Sequence, residues 1–155
     1  MQGKATIASH PIHPMLVGLP IGFFIGTVVC YILYGITGDA SFWPRMAVML
    51  MIFGITGALL AGVFGFIDYM TAPMPAGAKD TATKHMLLNL AVVGIFLIAL
   101  WQGWSNYANP VSIWLSVIGI IVLAFSGWLG GKLTFVGHVG SAEPGTKRPR
   151  TNIAA

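Results

Sequence analysis

Four apolar runs, at residues 16–36, 43–67, 86–104 and 111–129, constrain this chain more than any other feature. Each is 19 residues or longer. A helix rises about 1.5 Å per residue, so about 20 residues cross a hydrocarbon layer about 30 Å thick. Lipid offers the backbone no hydrogen-bond partners, so runs of this kind must be helices that satisfy their own amides. No charge interrupts them except Arg45, near the start of the second. The expected fold is therefore all-α, an integral membrane four-helix bundle. An even number of spans puts both termini on one face, side A, and the turns at 38–42 and 105–110 on side B.

Charge orients the bundle. Only 8% of residues are charged and mean hydropathy is +0.82, which excludes a soluble domain. Lys4, Lys79, Lys84, Lys132 and the cluster Lys147, Arg148 and Arg150 lie on side A, and only Arg45 lies near side B. The positive-inside rule then makes side A, with both termini, cytoplasmic, and the chain a multi-pass protein of the bacterial inner (plasma) membrane. The first run is too long for a signal peptide and is expected to be retained. The net charge of +4 is accounted for by this anchor and by the basic tail facing anionic lipid, so no nucleic-acid partner is implied. Residues 1–140 form the transmembrane domain and 141–155 a flexible basic tail. The single cysteine, Cys30, lies inside the first span, which excludes an intrachain disulfide.

Small residues predict how the helices meet. Gly18, Gly22 and Gly26 recur every fourth residue in the first span, as do Gly54, Ala58 and Gly62 in the second. Such ridges let backbones approach, either within a tight hairpin or across a homodimer. The expectation is a hairpin in which Gly22 faces Gly54 or Gly62. Trp101, Trp104, Tyr107 and Trp114, with Trp43, form an aromatic belt at side B. Side A carries a 15-residue leader and a connection from 68 to 85, long enough to suggest function or disorder.

The chemistry-bearing residues gather at side A. His10 and His13 precede prolines in the leader, which biases both toward extended backbone. Asp68 ends the second span, His85 opens the third with Asn89 one turn deeper, and His138 follows the fourth. Ionisable groups at a membrane edge suggest a functional site. Taken singly, each histidine also suits a solvated or capping role. Together, neutral imidazoles could ligate a b-type haem, bind Fe, Cu or Zn with Asp68, or relay protons. Gly18, Gly65, Gly127, Gly130 and Gly131 would let a flat macrocycle approach the backbone, unless they serve helix packing alone. His13 and His85 are expected to approach one another, with Asp68 and Asn89 in reach.

The opening His10-Pro11-Ile12-His13-Pro14-Met15-Leu16-Val17, with Leu19-Pro20-Ile21-Gly22, resembles the bacterial four-helix membrane family catalogued as domain of unknown function 2231. The resemblance continues through Gly65-Phe66-Ile67-Asp68, through His85 and Asn89, and through Gly127-Trp128-Leu129-Gly130-Gly131 to Gly137-His138-Val139-Gly140. It implies a redox setting, since relatives are fused to Rieske iron–sulfur or cytochrome-type domains. Family members often carry an acid after the Gly-Gly pair; Lys132 stands there in this chain.

An independent enzyme is not expected: the sequence has no convincing Ser/His/Asp set, phosphate-cradling loop or cysteine nucleophile. A transport path is awkward in four helices whose midplane carries no charge. The reading that follows is a histidine-lined, cytoplasmic-side site in a b-type haem or metal-bearing electron-transfer subunit. His13, His85, His138, His10 and Asn89 would hold a haem, or those four histidines and Asp68 a metal ion. The implied partners are the lipid bilayer, a redox protein and a second copy of the chain. The alternatives are metal-ion binding or transport, and a membrane anchor or scaffold without cofactor.

Overall fold

Prolines and glycines set the helix boundaries. The structure, a computed structural model, describes residues 5–7 and 10–136. A two-residue strand β1 (Thr6–Ile7) pairs antiparallel with β2 (His10–Pro11) ahead of the helices. Helices α1 (Ile12–Leu16) and α2 (Gly18–Thr37) form the first span, broken at Val17. The break follows from Pro20, which has no N–H to offer the Leu16 carbonyl. Helix α2 stops at Gly38, whose φ of 71° lies in the left-handed region that glycine enters without strain. Helices α3 (Trp43–Thr71) and α5 (Pro110–Gly131) each carry proline in the first turn, where no amide partner is lost. Helix α4 (Ala76–Ser105) follows Pro75, and a π-helical turn, Lys132–Val136, prolongs α5.

Among the described residues, four helices are long and apolar enough to cross a membrane. Their periphery suits lipid: Trp101, Trp104 and Trp114 at side B are all more than 60% exposed. In the side-B turn, Asp39 accepts from the Ser41 hydroxyl and from the Ser41 and Phe42 amides. Those bonds, the hydroxyl's foremost, hold its carboxyl below its ordinary pKa.

Three expectations need correction. The 68–85 connection is not a long loop, because α3 runs to Thr71 and α4 starts at Ala76. Its sequence after Pro75 is a good helix former, supported by an exposed Asp80–Lys84 pair one turn apart at 2.7 Å. His13 is helical rather than extended, since Pro14 falls in the first turn of α1, where helix tolerates it. Gly22 does not seat the hairpin: it is exposed, and a methyl group there would meet nothing within 4 Å. The tail at 141–155 lies outside the described residues.

What seats the hairpins is ring on glycine, and it occurs twice. A Cβ on Gly54 would stand 2.5 Å from the Phe24 ring, and one on Gly119 would stand 2.6 Å from the Phe96 ring. The spacing repeats as well. Phe24 follows His13 by eleven residues, and Phe96 follows His85 by eleven. Eleven residues are about three helical turns, so each histidine shares a face with its phenylalanine. On the partner helices, Gly54, Ala61 and Gly65 recur at the same spacing as Gly119, Ser126 and Gly130. The bundle is thus built from two like hairpins, α1–α3 and α4–α5, with matching contacts at matching spacings. Phe24 and Phe96 stack at the junction, with centroids 3.8 Å apart and planes at 13°. Both are fully buried, with Met51, Val92 and Ala99 in the same core.

The Phe24 ring cannot retreat from Gly54, because Phe96 stands behind it. Gly54→Ala should therefore destabilise the detergent-solubilised protein by about 1–3 kcal/mol. Gly62→Ala, which meets open space, should leave it unchanged or stabilise it through helix propensity by up to about 1 kcal/mol. Equal unfolding midpoints for the two variants would contradict the ring-on-glycine packing.

Candidate functional site

The same packing rule, one end of the bundle higher, builds the polar site. A Cβ on Gly65 would lie 2.8 Å from His13 Nδ1, and one on Gly130 would lie 3.0 Å from His85 Cε1. These two glycines therefore make room for the imidazoles. Gly18 and Gly127 face open space. Each imidazole is tied to the partner helix of its own hairpin. His13 Nδ1 lies 2.8 Å from the Ala61 carbonyl oxygen, and His85 Nδ1 lies 2.8 Å from the Ser126 carbonyl oxygen.

A carbonyl oxygen can only accept, so both Nδ1 atoms carry the proton. In the neutral ring Nε2 then holds the lone pair, which is the form a ligand imidazole must take. The two rings meet across the junction with centroids 6.4 Å apart and planes at 81°. Helix geometry explains the meeting: each histidine sits about three turns above a phenylalanine that already touches its counterpart.

Neighbouring groups act mostly on His85. Asn89 Nδ2 lies 3.0 Å from His85 Nε2 and donates to the His85 carbonyl at 3.0 Å. The buried Ser126 hydroxyl donates to that carbonyl at 3.3 Å and lies 3.2 Å from His85 Nδ1. Ser126 escaped the sequence reading. The signal that finds it is the repeat, which sets it opposite Ala61.

The remaining candidates go elsewhere. Asp68 Oδ1 accepts the Ala5 amide at 3.1 Å, and the Ala5 carbonyl accepts the Ile12 amide at 3.0 Å. Asp68 thereby pins the leader to the end of α3. His10 is exposed on β2, and His138 lies outside the described residues. Among the described residues, no three His, Cys, Asp or Glu side chains are grouped to hold a metal ion.

Fold and site together define a four-helix integral membrane protein with paired imidazoles near one end of its bundle. The chain belongs to the family described as "Predicted membrane protein (DUF2231)", which it matches over residues 9–143. No curated protein and no solved structure matches it.

The contact between Gly65 and His13 can be measured by a double-mutant cycle. Gly65→Ala should cost about 1–3 kcal/mol of stability in the wild-type background. In a His13→Ala background, where the ring is gone, most of that cost should vanish, giving a coupling of about 0.5–3 kcal/mol. Strictly additive effects on unfolding in detergent would place the His13 ring away from Gly65.

Proposed function

We propose that this chain is a membrane-embedded redox subunit that holds a b-type haem between His13 and His85, on the cytoplasmic side of a bacterial plasma membrane. The observation that carries this reading is the adjacent pair of imidazoles, each with Nδ1–H anchored on a carbonyl and Nε2 unprotonated in the neutral ring. Two imidazoles that ligate one ion from opposite sides, at about 2.0–2.1 Å each, put their ring centres about 6 Å apart. The pair stands at 6.4 Å.

The donor set also fits. His13 and His85 would hold a haem, which needs no further donor from the protein. Tetrahedral zinc needs four donors, and Asp68 is engaged with the leader. Bound there, a b-type haem would supply one-electron chemistry. The chain's own part is to orient the ligands: the Ala61 and Ser126 carbonyls fix the tautomer of each ring and raise its basicity. The Phe24–Phe96 stack occupies the junction below the pair, which favours a site open at one end over a through path for ions. The placement of cations supports a cytoplasmic side A, where a soluble or peripheral redox partner would reach the site.

The purified, detergent-solubilised protein, supplied with haem, should show a Soret band with one iron per chain. His13→Ala and His85→Ala should each abolish it, and His10→Ala should leave it intact. If the wild type has neither a Soret band nor stoichiometric Fe, Cu or Zn, the cofactor reading fails and an anchoring role replaces it.

A further inference from the structure

The repeat that builds the site is broken at two positions within it: Ser126 replaces Ala61 beside Nδ1, and a second exchange lies on the histidine helices, near Nε2. Asn89 stands one turn after His85, and at the matching place one turn after His13 stands Val17. The consequence is local. Because His85 Nδ1–H donates to the Ser126 carbonyl, its Nε2 holds a lone pair that only a donor can satisfy, and the Asn89 amide supplies that donor at 3.0 Å. His13 has the same tautomer through Ala61, but valine has nothing to donate. Among the described residues, no group hydrogen-bonds its Nε2. His13 is half-buried with its ring centroid 6.4 Å from that of His85, and its open electron pair is a donor without its acceptor.

We propose that Asn89 is a positioning residue that makes the two imidazoles unequal. It closes the electron pair of His85 and leaves that of His13 open, so an electron-pair acceptor such as haem iron engages His13 first. His85 engages second, by displacing the Asn89 amide. This order of engagement rests on the ligand reading given above, whereas the inequivalence of the two rings does not need a cofactor. The arrangement also accounts for the extra fixing of His85. Asn89 and Ser126 both bond its backbone carbonyl, and Ser126 also flanks its Nδ1. That ring stays in place while its Nε2 changes partner.

The test uses the full chain in detergent, free of cofactor and labelled with 15N-histidine. His10→Gln and His138→Gln in the same chain remove the other two imidazoles from the spectrum. Both remaining rings should show a protonated Nδ1. Their Nε2 resonances should differ, with one in the range of a hydrogen-bonded acceptor and the other in the range of a free one. Asn89→Val should make the two alike, and Val17→Asn should shift the His13 signal toward the hydrogen-bonded range.

Titration with ferric haem supplies the second readout. Asn89→Val removes a hydrogen bond that competes with iron, and should tighten binding about two- to tenfold; Val17→Asn should weaken it by a similar factor. A residue that only stabilised the fold would not give effects of opposite sign at two repeat-related positions. Identical Nε2 resonances in the unsubstituted pair, or weaker haem binding by Asn89→Val, would overturn the proposal. If Asn89→Val does not fold, the 15N spectrum of the chain with Asn89 and Val17 intact and the Val17→Asn arm still decide it. If ferric haem binds none of the three proteins, the cofactor reading and the order of engagement fall together, while the spectra still decide whether the rings are unequal.

Discussion

Flat rings laid against glycine govern this bundle. Lipid tails are as apolar as leucine, so transmembrane helices associate through close packing and hydrogen bonds rather than through expulsion of water. In each hairpin one helix carries a histidine and a phenylalanine three turns apart, and the other carries a glycine opposite each. Those glycines set how near the helices come. The approach brings the Ala61 and Ser126 carbonyls within 2.8 Å of the imidazoles. Packing and polar satisfaction are therefore one device: the glycine that admits the ring also puts the ring on its acceptor.

Repetition of the hairpin then creates the site. Two like hairpins joined face to face must put like residues together at their junction, and the residues so placed are Phe24 with Phe96 and His13 with His85. The phenylalanine pair fills the core, and the histidine pair remains as a polar meeting point near the membrane edge. Neither hairpin alone contains the pair. The repeat supplies two like imidazoles, and Asn89 in place of Val17, with Ser126 in place of Ala61, distinguishes them.

The sequence carried the architecture plainly and the site only in part. Span lengths, the absence of internal charge and the sidedness of the cations follow from residue type alone, because hydrocarbon tolerates so little. The meeting of His13 with His85 was legible from their common depth at two helix starts. The helical extension after Pro75 was hidden because Ala76–Lys84 is polar, and polarity ends an apolar run without ending a helix. At Gly22, four-residue spacing shows a face, not which neighbour that face meets. At Gly65 and Gly130 the spacing shows room and not its occupant, so a macrocycle and plain packing stay equally open from sequence alone. Asp68 shares the depth of the histidines, yet its carboxylate went to the Ala5 amide, a contact 63 residues away that no local pattern announces. The hairpin repeat was present throughout in the eleven-residue spacings, with few identical residues between the copies to reveal it.

The central claim is that two repeated hairpins bring the imidazoles of His13 and His85 together at their junction, edge to face. Through-space solid-state NMR on lipid-embedded protein carrying 13C-labelled histidine measures this directly. The account predicts a cross-peak between the two rings, consistent with centroids 6.4 Å apart. It would be contradicted if that cross-peak were absent while each ring still correlated with its own partner helix, His13 with Ala61 and His85 with Ser126.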